Sequence, residues 1–141
     1  MIEEQLKRIH AKLKTPTAKD EILKTELFFT EDADFLVVAY GITARAAKEA
    51  VVQARLKGIK AGLLRPITLW PSDEESVVKA LQRVKKVIVA ELNLGQYIQE
   101  IERLAYRMAR REQKVPPPII SINRVDTGLI TPEDILKELK E

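Results

Sequence analysis

Cysteine is absent from the 141-residue sequence, and histidine occurs once, at His10. The first absence excludes disulfide staples, Cys-ligated zinc, iron–sulfur ligation and thiol nucleophiles. The second leaves little material for a multi-histidine metal site or a Ser–His catalytic pair. No apolar run is long. The longest, Phe35 to Tyr40, falls far short of the roughly 20 residues a membrane-spanning helix needs. Glu3 and Glu4 stand where a secretory leader would be basic, so no export signal is read and a cytoplasmic protein is expected. Nor does one sign of charge prevail. The 24 basic and 21 acidic residues leave a net charge of +3, which does not mark a dedicated nucleic-acid binder. Neither the P-loop motif nor the Gly-rich dinucleotide fingerprint occurs.

What is present has a globular composition, with 45% hydrophobic and 32% charged residues. The length suits a single domain, able to bury roughly two-thirds of its unfolded surface. Dense mixed charge without cysteine points toward a thermophilic source. Residues 1–30 read as a helical extension or linker. Ile2, Leu6, Ile9 and Leu13 share one helical stripe, and Thr15-Pro16-Thr17 ends it. Leu27-Phe28-Phe29 is β-prone and suits a short edge strand.

From Asp34 onward a regular pattern sets in. Phe35–Ala39, Ala61–Leu64, Val87–Ala90 and Ile119–Ile122 are short apolar runs of the kind buried on both faces of a parallel sheet. Helical stripes alternate with them: Ala47, Ala50, Val51 and Ala54; then Val77, Val78, Leu81 and Val84; then Tyr97, Ile101, Leu104, Ala105 and Met108; finally Ile135, Leu136 and Leu139. Thr43 is the expected cap of the first helix, with Gly58 as its C′ glycine. Ser72 and Glu75 form an expected capping box, and Thr131-Pro132 opens the last helix. Four strand–helix alternations predict an α/β sheet with helices on both faces. Its ligands would sit beyond the carboxyl ends of the strands, at the switch point.

Three loops fall at that edge. In Tyr40-Gly41-Ile42-Thr43-Ala44-Arg45, the turn reads either as an anion or cofactor loop, with Arg45 adding positive charge, or as a plain βα turn. In Arg65-Pro66-Ile67-Thr68-Leu69-Trp70-Pro71, Arg65 suits a carboxylate or phosphate, or a nearby acid. Trp70 reads as a docking anchor or as a plug of the sheet end. In Glu91-Leu92-Asn93-Leu94-Gly95-Gln96, Glu91 reads as a desolvated acid or, preferably, as the ion-pair partner of Arg65 or Arg45. Glu31, Asp32 and Asp34 read as a solvated strand entrance in preference to a cation site.

The same loops carry a resemblance. With Val38-Ala39 leading into the first and Gly58 to Leu64 into the second, they are similar, in order and spacing, to the carboxyl-terminal domain of the α subunit of 2-oxoacid:ferredoxin oxidoreductases, especially the 2-oxoglutarate type. The likeness covers about residues 31 to 125. It implies a transketolase C-terminal-domain-like fold over 31–141: a three-layer α/β/α sandwich on a mostly parallel five-stranded sheet, with one antiparallel edge strand at Leu27–Phe29. The strand at Phe35 would lie beside the strand at Val87. The family oxidatively decarboxylates a 2-oxoacid to its acyl-CoA and passes electrons to ferredoxin. It uses thiamine diphosphate, magnesium and iron–sulfur clusters. The pyrimidine-side thiamine domain and every cluster cysteine are missing here. The chain thus reads as a fragment subunit or an excised domain, inactive alone, with no catalytic residue, no metal site and no cofactor of its own. Its role would be assembly and site shaping. The expected functional rim is Tyr40, Gly41, Thr43, Arg45, Arg65, Trp70, Glu91, Asn93, Gly95 and Gln96. Partners would be other subunits of the complex, with ferredoxin and CoA reached through it. A free-standing anion- or nucleotide-binding module and a homodimerisation scaffold are the alternatives.

Overall fold

The computed structural model describes residues 25–67, 69, 72–92, 96–123 and 128–140. The expected N-terminal helix, Trp70, Asn93 and Gly95 lie outside the described residues.

Five strands form one sheet: β1 (Thr25–Phe28), β2 (Phe35–Ala39), β3 (Ala61–Pro66), β4 (Lys86–Glu91) and β5 (Ile119–Asn123). Their spatial order is β1-β3-β2-β4-β5. Only β1 runs antiparallel, pairing Glu26 with Arg65 and Phe28 with Leu63. β2 lies between β3 and β4, in parallel with both. Four helices complete the chain: α1 (Thr43–Leu56), α2 (Glu74–Leu81), α3 (Gln96–Glu112) and α4 (Pro132–Leu136). The expected sheet, its antiparallel edge and the Phe35–Val87 adjacency are all observed.

The chain steps one way from β2 to β3, then back across β2 to β4 and β5. That reversal places the switch point between β2 and β4. Strand alternation divides the interior. Leu36, Val38, Leu64, Val87 and Val89 face α2 and α3, against Ile101, Leu104 and Met108. Phe35, Val37, Ala39, Leu63, Ile88 and Ala90 face the other layer, against α1 and the α4 end. α1 turns four alanines inward, Ala44, Ala47, Ala50 and Ala54. Their small size lets the helix lie close to the sheet, and Ile130, Ile135 and Leu139 fill the space beside it.

Two expected caps are corrected. Ile42 is the N-cap of α1 and makes no side-chain cap, while Thr43 is already helical and buried. Asp73, not Ser72, caps α2 by accepting from the Ser76 amide at 3.3 Å. The Ser72 hydroxyl donates instead to Glu100 at 2.8 Å. α2 ends at Leu81, so Val84 packs from beyond it. At the last helix Thr131 and Asp134 form a capping box, with proline in the first turn. Gly58 sits at φ +84, as a C′ residue should.

At the amino ends of the strands Glu31 and Asp32 are exposed, as expected of a solvated entrance, and Arg55 adds a network there. Its guanidinium donates to Asp32 at 2.7 Å and 3.1 Å, to the Phe29 carbonyl at 2.8 Å and to the Ala61 carbonyl at 2.8 Å. The bidentate pair holds the Asp32 carboxyl below the usual aspartate range. Arg55→Ala is expected to cost about 1–2 kcal/mol, through the two carbonyl bonds. Because the folded aspartate titrates lower than the unfolded one, the Asp32 contribution is fully present at neutral pH. It is lost only as the pH falls below 3.8, the ordinary value. Urea denaturation of both proteins across that range checks this: their gap should narrow in acid and hold constant near neutrality.

Candidate functional site

The carboxyl ends of β2 and β4 meet at the switch point, and one carboxylate joins them. Glu91, the last residue of β4, is only 1% exposed. Its Oε1 accepts from the Tyr40 hydroxyl at 3.0 Å and from the Tyr97 amide at 2.7 Å. Its Oε2 accepts from the Ile98 amide at 3.2 Å. Glu91 therefore satisfies two of the free N–H groups that open α3 and neutralises that end of the helix dipole. The expected pairing with Arg65 or Arg45 is not what the fold makes. The Tyr97 and Ile98 amides of α3 take the Glu91 oxygens instead.

Tyr40 and Tyr97 stand edge to face, with ring centroids 5.7 Å apart. Together they wall a crevice of about 710 Å³ that also meets Leu69, Gln96, Gln99 and Arg103. Arg103 is anchored by Glu100 and Glu74. Its guanidinium, and then the Ser72 hydroxyl, hold the Glu100 carboxyl below the usual glutamate range. Tyr40 and Gln96 are the expected rim residues that share this crevice. Tyr97, Gln99 and Arg103 were not expected there. Their helical spacing in the sequence marks α3 but not the space beyond the strand ends.

A second cleft, about 490 Å³, opens at the start of α1 between Gly41, Ile42, Arg45, Lys48 and Arg65. Gly41 takes φ +62, the conformation that favours glycine in this turn. Arg65 was expected at the carboxyl end of its strand, meeting either a ligand anion or a nearby acid, and the nearby acid is what it meets. It lies within β3, and its Nη1 meets Glu26 Oε2 on the paired edge strand at 3.4 Å. Lys48 approaches the same carboxylate at 3.7 Å. Arg45 is exposed. Among the described residues, Tyr40 and Gln96 line one hollow and Gly41, Arg45 and Arg65 the other, both at the carboxyl end of the sheet, with Thr43 buried behind them.

Among the described residues no group of three or more His, Cys, Asp or Glu could hold a metal ion. No described helix is long and apolar enough to cross a membrane.

The chain is 40% identical over 94 residues to the 2-oxoglutarate synthase subunit KorA of Methanothermobacter thermautotrophicus, covering 67% of this chain and 25% of that subunit. It is 36% identical over 128 residues to the ketoisovalerate oxidoreductase subunit VorB of Methanothermobacter marburgensis, covering 91% of this chain and 34% of the relative. The chain thus spans a quarter to a third of the length of these curated relatives. A solved split-gene transketolase shares the fold, with a TM-score of 0.65 and 21% identity over 82% of this chain and 40% of that one. Residues 33–135 match pyruvate:ferredoxin oxidoreductase core domain II, and the chain belongs to that family.

Proposed function

We propose that this chain works as a subunit or domain of a 2-oxoacid:ferredoxin oxidoreductase, in assembly and in shaping the site, without catalysis of its own. The match of residues 33–135 to core domain II carries this reading. The relatives are named for 2-oxoglutarate and for ketoisovalerate, so the substrate class is given as a 2-oxoacid and no narrower. In this reading residues 1–30 lead into the domain at 31–141, with β1 adding the edge strand of the domain's sheet. Its partner-facing rim is Tyr40, Gly41, Arg45, Arg65, Trp70, Asn93, Gly95 and Gln96, with the buried Thr43 and Glu91 supporting it from behind. Tyr40 and Trp70 dock other domains, and the two arginines meet acidic groups.

Thiamine diphosphate, magnesium and iron–sulfur clusters belong to the proposed complex. The described residues hold no metal-binding group and the sequence has no thiolate. They do not fit those groups, so the chain is assigned neither the decarboxylation nor the electron transfer.

Co-expression with the thiamine-domain and cluster subunits of such an enzyme tests the proposal. The tagged chain should co-elute with them in fixed stoichiometry, and the complex should reduce ferredoxin with a 2-oxoacid and CoA. Omitting the chain should abolish that activity. Full activity without it, together with failure to co-elute, would overturn the proposal.

A further inference from the structure

From Gln96 to Arg111 every exposed residue of α3 is glutamine, arginine or tyrosine. The helix carries four arginines and no lysine, in a chain where lysine is the commoner of the two. Arg103, Tyr106, Arg107, Arg110 and Arg111 line a hollow of about 590 Å³ on this outer face. Arg103 and Arg107 share Glu74, at 2.9 Å and 3.2 Å. Arg110 and Arg111 are exposed and meet no acceptor among the described residues. Glu112, at the end of the helix, is already taken by Lys114 at 3.0 Å.

Such a face costs the helix stability. Arg103 and Arg107, and again Arg107 and Arg111, stand four residues apart, where like charges repel. The helix dipole favours cations in the last turn, but it does not explain Tyr106, which is 59% exposed among them. Arginine and tyrosine are the residues that recur where one protein anchors another. A guanidinium fork, unlike an ammonium, fits a carboxylate with two parallel bonds.

The layout of the charges narrows the partner. From Arg103 to Arg110 the row runs two helical turns, about 10 Å, too long for a single phosphate to span. Glu74 and Glu102 border it, and would repel the continuous backbone of a nucleic acid. A row of separate carboxylates on a second helix repeats at the same spacing and meets neither obstacle. We propose that the outer face of α3 docks an acidic helical segment of another protein, its carboxylates on the arginine row and an aliphatic side chain against Tyr106. The inference goes beyond the proposed place of the chain in an oxidoreductase and does not rest on it.

Fluorescence anisotropy with the purified full chain tests it. The probe is a labelled peptide of repeated Glu-Ala-Ala-Leu, beside a counterpart with glutamine for glutamate. At low salt the acidic peptide should bind in the micromolar range, and the glutamine peptide about tenfold more weakly or worse. Arg110→Ala combined with Arg111→Ala removes no contact among the described residues, so the variant should melt like the parent while binding about tenfold more weakly. Lys57→Ala combined with Lys85→Ala removes the same charge from exposed positions at the amino ends of β3 and β4, and should leave binding within about twofold. Tyr106→Ala should weaken it several-fold at unchanged net charge. The proposal is overturned if the acidic peptide does not bind, if the glutamine peptide binds equally, or if the lysine variant loses as much as the arginine variant. It is also overturned if oligothymidylate or pyrophosphate displaces the peptide at or below the concentration of unlabelled acidic peptide that does so. Those last results would assign the face to nucleic acid or to a small phosphate.

Discussion

Glu91→Ala is expected to destabilise the chain by about 3–5 kcal/mol, because it removes one buried acceptor that serves three donors at once. The Tyr97 and Ile98 amides lose their acceptor, and so does the Tyr40 hydroxyl. The residue is 1% exposed, so water reaches those donors only through a cavity that the substitution itself opens. For a domain of this size the melting temperature should fall by about 10–20 °C. Glu91→Gln keeps the shape and one acceptor oxygen but gives up the charge that faces the helix end. Its cost should be smaller, about 1–3 kcal/mol. Urea denaturation of the three proteins measures both differences. An alanine variant within about 1 kcal/mol of the parent would show that the carboxylate is not what joins β2 to α3.

The second large effect is steric. Gly62 lies in β3 opposite Leu36 of β2. A Cβ there would stand 2.6 Å from the Phe29 carbonyl oxygen and 3.0 Å from the Ala33 Cβ. The carbonyl cannot yield cheaply. It accepts from Arg55 at 2.8 Å, and Phe29 itself sits at φ +55. Gly62→Ala should therefore cost about 2–4 kcal/mol, despite the better strand propensity of alanine. Gly41→Ala makes the contrast. It meets open space but sits at φ +62, so its cost, about 1 kcal/mol, is conformational only. Chemical denaturation of both should rank them in that order. The reverse order would mean that the β3 backbone moves aside freely.

Much of the fold was legible because its determinants are local. Runs such as Phe35–Ala39 are apolar at every position, and the strand is buried at every position. α1 and α3 show their buried faces as stripes, and Gly58 and Thr131 punctuate where the chain turns. What escaped depends on distances between elements. Arg65 finds Glu26 only through the register of an antiparallel neighbour. Glu91 was assigned a cation because a buried acid needs positive charge, and the sequence displays arginines but not the amides of a helix opening. Ser72 follows the capping pattern, yet its hydroxyl reaches across to Glu100 on α3. The rim was read as one surface and is two hollows, since Tyr40 turns toward α3 while Gly41 turns toward β3.

The reversed direction of β1 has a practical corollary. Thr25 lies beside Pro66, so the main chain enters the described fold at the same pole as the crevice. The other terminus is held at the far pole, where the Lys86 ammonium donates to the carbonyls of Glu138 and Lys140 at 2.7 Å and 3.4 Å. A bulky label placed at Thr25 itself would stand near the crevice mouth, whereas a handle at Lys140 would leave it facing bulk solvent. With no native thiol to compete, Lys140→Cys would give a single attachment point for immobilised binding or fluorescence work.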